Sequence, residues 1–267
     1  MTQTIKKNES AIRGRLIAPI QSTGRMGKST VQQMIWEWFA FAGVPSAAID
    51  ADDEHKTFSQ WYPGDVTFAP FRRQEDLLPM LDACGVAPAE LIDFPAQATS
   101  EILAGFNQFS GLDILAQKGI RLTVLIFASD DRAAMSSAAE ALNYLGTDVD
   151  YTLVCNPARF ASEIFKHSKL AKMFSDAPVI ELPPITQATM NQVDKAGKEA
   201  GRPLTLREAS RSASIGSRME LENFISRCFV QFEEAIRVLL PEESLVQNRV
   251  QRSKLRASPK RINAFEL

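Results

Sequence analysis

The sequence predicts an α/β fold: a mostly parallel, doubly wound sheet with helices on both faces, followed by a C-terminal helical extension. Two observations lead to this class. Short apolar segments of strand length alternate with longer helical patterns between residues 16 and 182, which is typical of parallel sheets. Residues 22–30, Ser-Thr-Gly-Arg-Met-Gly-Lys-Ser-Thr, stand between the first predicted strand and the first predicted helix, where a phosphate-binding loop is expected.

The first half of the chain supplies the strands that flank this loop. Apolar segments of three to five residues mark the strands, and longer segments with apolar residues on a helical period mark the helices. Gly43 is a natural end for the first helix. The predicted elements are strand Leu16–Ile20, helix Lys28–Ala42, strand Ala47–Asp50, strand Val66–Phe68, helix Glu75–Cys84 and strand Glu90–Asp93.

The second half continues the alternation and becomes helical after Pro183-Pro184. One of its strands is a continuous apolar run, as expected of a strand that is buried on both faces. The predicted elements are a helical stretch Ser100–Lys118 broken near Gly111, strand Leu122–Ala128, helix Asp131–Leu145, strand Asp150–Cys155, a helical stretch Arg159–Phe174, strand Val179–Leu182, and helices Ala188–Glu199 and Arg218–Leu240.

The composition is that of an ordinary globular protein without a strong charge bias. The chain has 267 residues, 45% of them hydrophobic, which is enough for one large α/β domain. Its formal net charge of -2 gives no overall attraction to nucleic acids or membranes. The cysteines Cys84, Cys155 and Cys228 lack metal-type spacing, and no run is long and apolar enough to span a membrane. These features favour a cytoplasmic protein with reduced thiols.

The loop carries the groups that hold a nucleotide's phosphates. Backbone N–H groups around Gly27 would cradle the phosphates, and a glycine allows the backbone to wrap closely around them. Lys28 would reach the β- and γ-phosphates, and the Ser29 hydroxyl would hold Mg²⁺. The usual first glycine of such loops is absent at Ser22, and a glycine stands instead at Gly24.

Three aspartates follow predicted strands, at the edge of the sheet where ligands of such folds bind. Asp93 ends an apolar strand, an arrangement suited to holding a Mg²⁺-bound water. Asp50 and Asp52 are two residues apart, so their side chains point the same way, and either is placed to contact the Mg²⁺ shell or to orient the attacking water. The alternative is that these aspartates cap the next helix. The neighbouring phosphate loop favours the catalytic interpretation for Asp52 and Asp93.

Three segments together resemble the MinD/ParA family of deviant-Walker ATPases, which includes ATPases of plasmid partition and conjugative transfer. Residues Thr23–Thr30 align with the family loop K-G-G-x-G-K-[ST]-[ST]. They match it from Gly24 on, apart from Arg25. Ile49–Asp52 matches I-D-x-D, and Ile92–Ala96 matches D-[ST]-P-[AP]. The family's signature lysine falls at Thr23 and a family glycine falls at Arg25. With these two departures, the chain is more similar to a StbB-like or TraL-like branch of the family than to cell-division MinD.

The resemblance implies ATP and Mg²⁺ as cofactors and a role for each matching residue. Lys28, Asp52 and Asp93 would serve catalysis, with Asp52 orienting the hydrolytic water. Asn156 would read the adenine base. A separate hypothesis is that Arg25 supplies the positive charge of the missing lysine, within its own site or across the dimer. The implied ATP-binding residues are Gly24, Arg25, Met26, Gly27, Lys28, Ser29, Thr30 and Asn156, and the implied metal-binding residues are Ser29, Asp50 and Asp93.

The predicted function is that of a ParA/MinD-like ATPase, which binds and slowly hydrolyses Mg-ATP as a switch for homodimer formation. Plasmid partition, plasmid stability or conjugative DNA transfer would be its setting, with an unidentified partner protein that stimulates hydrolysis. Two alternatives stay open. One is a small-molecule ATP-dependent enzyme of the dethiobiotin-synthetase type, which needs a second pocket with its own lysines near the phosphates. The other is a nucleotide-binding scaffold that does not hydrolyse, because the signature lysine is absent.

The predicted domain organisation has three parts. Residues 1–13 are a flexible N-terminal arm, residues 14–243 are the P-loop ATPase domain with its C-terminal helices, and residues 244–267 are a basic tail. The tail has two interpretations, nonspecific DNA binding through its cations or a solvated chain end. Its basic residues are Arg249, Arg252, Lys254, Arg256, Lys260 and Arg261.

Overall fold

The computed structural model describes residues 12–158, 161–242 and 244. Its strands are β1 (Gly14–Pro19), β2 (Ser46–Asp50), β3 (Thr67–Phe68), β4 (Ala89–Asp93), β5 (Ile120–Ala128), β6 (Asp150–Cys155) and β7 (Val179–Glu181). They form one sheet in the order β3-β2-β4-β1-β5-β6-β7. Every neighbouring pair is parallel. The predicted α/β fold class is confirmed by this topology.

Helices connect the strands and continue beyond the sheet. They are α1 (Lys28–Ala42), α2 (Thr57–Trp61), α3 (Leu77–Ala83), α4 (Thr99–Gln108), α5 (Gly111–Gln117), α6 (Arg132–Leu145), α7 (Glu163–Lys166), α8 (Lys169–Met173), α9 (Gln187–Ala200), α10 (Leu206–Ser212), α11 (Ile215–Glu234) and α12 (Ile236–Leu239). A 3-10 turn, Gln74–Asp76, precedes α3. Within the described residues, no helix combines the length and apolarity needed to cross a membrane.

The sheet has a separate hydrophobic core on each face. Alternate residues of β1 enter different cores, with Ile17 on one side and Leu16 and Ala18 on the other, as the period of a strand requires. Helices α1 and α11 cover the first face, where Trp38 is fully buried. Helices α3, α4, α5 and α6 cover the second face. Because helices cover both faces of the sheet, the part of the sheet that stays open is the row of strand ends.

The structure differs from the predicted elements mainly in the helical part. Helices α2 and α10 were not predicted, and α11 begins at Ile215 rather than at Arg218. The predicted helix to Leu240 is divided at Ala235 into α11 and α12. Of the predicted stretch Arg159–Phe174, Arg159 and Phe160 lie outside the described residues, and the rest contains two short helices, α7 and α8.

Both edges of the sheet are short, and one of them is covered. β3 contains two residues and β7 contains three. The side-chain amide of Gln231 on α11 donates to the carbonyl of Glu181 (2.7 Å) and accepts from its N–H (2.5 Å). The backbone of Glu181 is therefore hydrogen-bonded on the outer side of β7.

Two predicted segments fall largely outside the described residues. Of the predicted N-terminal arm, only residues 12 and 13 are described, and of the predicted basic tail only Ser244 is. All of the tail's basic residues therefore lie outside the described chain. Both parts of the domain prediction stay predictions.

Candidate functional site

The predicted phosphate loop connects the carboxyl end of β1 to the first residue of α1. Gly27 precedes α1 in a left-handed conformation with φ 93°, which favours glycine. A Cβ at Gly27 would also stand 3.2 Å from the Nδ2 atom of Asn156. A Cβ at Gly24 would meet only Ala96, at an ordinary 3.7 Å. Glycine is therefore required by the backbone at Gly27, and nothing in the described chain requires it at Gly24.

Lys28 lies buried at the start of α1. Its Nζ donates a hydrogen bond of 2.8 Å to the carbonyl oxygen of Gln21, so the side chain folds back along its own loop. Burial lowers the pKa of Lys28, and the nearby carboxylates of Asp93 and Asp52 oppose this shift. The lysine and the two aspartates thus share one electrostatic environment.

Gln21, which the sequence motifs do not identify, anchors the first part of the loop. Its Nε2 donates to the carbonyls of Phe127 and Ala134, both at 2.9 Å, and its Oε1 accepts from the N–H of Phe127 at 2.6 Å. The side chain is buried and ties the loop to the ends of β5 and α6. A single glutamine outside any motif gives no sequence signal for this role.

Asp93 is placed to support a metal ion at the loop. It is 2% exposed, and the Ser29 hydroxyl hydrogen-bonds its carboxylate. Its Oδ1 atom is buried and has no hydrogen-bond partner among the described residues. Burial raises the pKa of Asp93 to about 7, and the charge of Asp50 adds to this effect. A buried carboxylate with an unpartnered oxygen suits a cation that adds charge beside it.

The donor set fits Mg²⁺ held together with a nucleotide. Among the described residues, no group of three or more His, Cys, Asp or Glu side chains is placed to hold a metal ion. Mg²⁺ is commonly held by one or two carboxylates, its own waters and substrate phosphates. Ser29 and Asp93 are the residues that would hold it here, with phosphate oxygens completing its ligands.

Asp50 and Asp52 both make hydrogen bonds to the chain that follows β2. Asp50 is fully buried and is the register partner of Asp93 in the sheet. It accepts from the N–H of Asp52 (3.1 Å) and from the N–H and hydroxyl of Ser59 (2.7 and 2.8 Å). Asp52 accepts from the N–H groups of Glu54 (2.9 Å) and His55 (3.1 Å). Both therefore stabilise local turns, and Asp52 also lines the cleft described below.

The two positions that depart from the family loop have distinct environments. Arg25 is exposed and has a left-handed backbone conformation, with φ 60°. The hydroxyl of Thr23 hydrogen-bonds the carboxylate of Asp131 at 3.1 Å. Asp131 also caps α6 by accepting from the N–H of Ala134 at 2.9 Å. The position of the family's lysine is therefore tied to this chain's own helix α6.

A cleft of about 960 Å³ begins at the loop and continues over α1. Beyond the loop it is lined by two segments, the α2 segment (residues 52–61) and the α9–α10 segment (residues 190–206). Asn156, Leu182 and Pro183 line it between the loop and α9. The Nδ2 atom of Asn156 donates to the carbonyl of Met26 at 3.2 Å. This bond uses one N–H of the side-chain amide, so the Oδ1 atom and the second N–H of Asn156 are left to offer a ligand.

The predicted site residues thus meet in one region. The cleft is lined by Gly24, Arg25, Gly27, Lys28, Ser29, Thr30, Asp52 and Asn156. Asp93 lies beneath it, bonded to Ser29, and Met26 is buried, with its carbonyl turned to Asn156. Asp50 contacts the region only through the charge it exerts on Asp93 and through the turn that it holds.

No family model matches the chain, and no curated protein matches it. Solved structures with a similar fold include a ParA family ATPase from Chlorobium tepidum TLS, with a TM-score of 0.48 and 12% identity, covering 84% of this chain and 99% of that chain. The MinD cell division protein of Aquifex aeolicus has a TM-score of 0.46 and 14% identity, covering 83% and 97%. The signal recognition particle receptor FtsY from Elizabethkingia anophelis, in complex with GDP, has a TM-score of 0.38 and 12% identity, covering 58% and 51%.

These structures include members of the family that the three motifs resemble. Because the identities and scores are low, the fold class rests on the strand order and on the loop between β1 and α1. The StbB-like or TraL-like branch stays a prediction from the sequence.

Proposed function

We propose that the chain binds Mg-ATP at the loop between β1 and α1 and hydrolyses it slowly. The observation that carries this proposal is the meeting of Lys28, Ser29 and Asp93 at the ends of the adjacent strands β1 and β4, with Asp52 nearby. Each of these groups has a role in phosphoryl transfer. A buried lysine and a buried carboxylate without a full set of partners cost stability, which a bound nucleotide would offset.

Each residue contributes a separate step. The N–H groups of residues 24–30 and the cation of Lys28 bind and orient the phosphates. Ser29 and Asp93 would hold the metal ion, which would supply positive charge beside the phosphate oxygens. Asp52 accepts a hydrogen bond from the attacking water and orients it. Asp50, proposed from the sequence as a further metal contact, supports Asp52 by holding the turn that follows β2.

The orientation of Asn156 supports adenine as the base. Because its Nδ2 donates to the Met26 carbonyl, its Oδ1 is left to accept a hydrogen bond from the ligand. The exocyclic amino group of adenine would donate such a bond, and the motif resemblance also implies ATP. We therefore propose ATP rather than GTP as the ligand.

We further propose that ATP binding promotes a homodimer and that the dimer acts on DNA, in plasmid partition, stability or transfer. Three things support this: the motif resemblance, the exposed cation of Arg25 beside the cleft, and the six basic residues after position 244. Arg25 would take the role of the family's lysine at the phosphates. The chain would then consist of an arm (1–13), an ATPase domain (14–243) and a DNA-binding tail (244–267).

The test is a pair of binding and turnover measurements on Lys28→Ala, with Lys172→Ala as the matched control. Lys172 is exposed on α8 and does not line the cleft. We expect the wild type and the control to bind Mg-ATP more tightly than Mg-GTP. Lys28→Ala should lose at least tenfold in affinity, because a charge-assisted contact to phosphate is worth about 1.5–3 kcal/mol.

Three outcomes would contradict parts of this proposal. Unchanged ATP affinity in Lys28→Ala would refute the site. Tight ATP binding without measurable turnover would select the scaffold alternative. Turnover that a small metabolite stimulates and that DNA does not affect would select the small-molecule enzyme.

A further inference from the structure

A buried polar cluster lies on α1 at the far end of the cleft. We call it the Glu37 cluster, and it consists of Gln33, Glu37, Tyr62 and Arg207. The Tyr62 hydroxyl donates to Glu37 Oε1 at 3.0 Å, and the Arg207 Nε lies 3.3 Å from Glu37 Oε2. Glu37 is 6% exposed, so both of its oxygens face partners inside the protein. One carboxylate on α1 thus holds groups from two other parts of the chain.

The cluster connects directly to the residues that line the cleft. Gln33 lines the cleft itself, Trp61 precedes Tyr62, and Leu206 precedes Arg207. Tyr62 follows α2, and Arg207 lies on α10. The α2 segment and the α9–α10 segment are therefore both attached to α1 through Glu37. Glu37 is thus in contact with residues next to both segments that line the cleft.

Glu37 itself is remote from the phosphate loop. Glu37 is nine residues after Lys28, which is about 13 Å along a helix. Gln33, between them, is 1% exposed and its Oε1 accepts no hydrogen bond from any described residue. The Gln33 side chain lies near the Tyr62 hydroxyl and lowers its pKa, against the larger effect of burial. A change at Glu37 would thus alter the part of the cleft beyond the phosphates while the loop keeps its own anchor at Gln21.

We propose that Glu37 is a positioning residue, which fixes the α2 and α9–α10 segments at the separation that a nucleoside needs between them. The inference rests on the proposed function, because it assigns the part of the cleft between Asn156 and these two segments to the sugar and base of a nucleotide. Glu37 contacts no ligand. It acts through Tyr62 and Arg207 on the segments that do.

The test compares two ligands that share a diphosphate and differ by a nucleoside, Mg-ADP and Mg-pyrophosphate. Glu37→Gln keeps the shape of the side chain and an acceptor for Tyr62 but removes the ion pair with Arg207. The double variant Glu37→Met, Arg207→Met removes both charges, so that no unpaired charge is left buried. Glu163→Gln is the control, because it breaks an exposed ion pair with Lys166 on α7, away from the cleft.

We expect both Glu37 variants to weaken ADP binding by about tenfold and to change pyrophosphate binding less than twofold. Unfolding by denaturant is measured on the same samples. Equal weakening of both ligands, or no weakening of either, would overturn the positioning role. A wild-type protein that binds neither ligand would instead refute the proposed function, and one that binds pyrophosphate as tightly as ADP would refute the nucleoside subsite.

Discussion

Arg25 combines a charged side chain with a backbone conformation that glycine adopts more easily. Its φ of 60° costs a residue with a Cβ about 1 kcal/mol or more. The resemblance had identified this position as a family glycine, and the left-handed backbone agrees with that expectation. Strain that persists in a binding loop is commonly compensated by function. The arginine side chain is therefore the part of this residue to test.

Two substitutions at Arg25 separate the charge from the backbone. Arg25→Ala removes the charge and keeps the left-handed strain, whereas Arg25→Gly removes both. We expect Arg25→Gly to raise the free energy of unfolding by about 1 kcal/mol and Arg25→Ala to leave it nearly unchanged. Both should lose ATP turnover and ATP-dependent dimerisation to the same extent. Unaltered turnover and dimerisation in Arg25→Ala would remove the side chain from the proposed site.

Asp93 gives the ligand-free protein a stability that depends on pH. Its pKa is raised from 3.8 to about 7. Between these two pH values the folded state keeps a proton on Asp93 that the unfolded state has lost. The stabilisation is complete below pH 4 and is lost as the pH rises through 7. Between pH 4 and pH 8 the loss is about 2–4 kcal/mol.

Asp93→Asn should flatten this pH dependence. We expect the free energy of unfolding of the wild type to fall relative to that of the variant between pH 4 and pH 8, measured by denaturant without nucleotide or Mg²⁺. Glu37, whose pKa is also raised by burial, titrates in both proteins and cancels in the comparison. Parallel pH profiles would show that the Asp93 carboxylate is not the buried, protonated group described above.

At the scale of elements, the strands were predicted well and the C-terminal helices less well. β4 is buried along its whole length and β5 at every residue except Arg121, so their apolar runs mark both strands in the sequence. α10, with the sequence Leu-Arg-Glu-Ala-Ser-Arg-Ser, has too few apolar residues to show a helical period. Its start is marked by a capping box between Thr205 and Glu208, which was the available signal.

The close packing of α4 against the turn before α3 depends on Gly105. A Cβ there would stand 2.9 Å from the backbone carbonyl of Gln74 and 3.0 Å from the Leu77 side chain. Helix propensity alone favours alanine by about 1 kcal/mol, but backbone atoms in contact have little room to move. The contact should therefore decide whether Gly105→Ala raises or lowers the stability of the protein.

We expect Gly105→Ala to lower the free energy of unfolding by about 1–3 kcal/mol. Gly216→Ala on α11 is the control, because a Cβ there meets no atom within 4 Å, and it should raise stability by about 0.5 kcal/mol. Thermal or denaturant unfolding of both variants is the measurement. A stabilising Gly105→Ala would mean that α4 does not pack this closely.

At the scale of the molecule, two separate cores leave the strand ends of the sheet as the place for a ligand. The sequence predicted that the phosphate loop and the strand-end aspartates meet in this region, because both carry local signals. Gln21 and the Glu37 cluster were not predicted. Their roles arise from contacts between distant segments, such as Glu37 with Arg207, which no local pattern encodes.

DNA binding by the tail is a prediction about the whole molecule, since the overall charge is slightly negative. We expect ATP-bound protein to bind DNA with an affinity that falls steeply with salt, with a slope of about 0.9 for each phosphate contact. Replacing Arg252, Lys254 and Arg256 by glutamine should reduce this slope and leave ATP affinity unchanged. A salt dependence equal to that of the wild type would assign DNA binding to another surface.

The amide of Gln231 has a consequence for how copies of this protein meet. An open strand edge can accept a strand from a neighbouring molecule and so seed fibrous aggregates. Here the outer backbone of Glu181 is already paired, and the opposite edge offers only two residues. Growth of a continuous intermolecular sheet is thereby disfavoured, which helps the protein to remain as discrete particles even when it is concentrated.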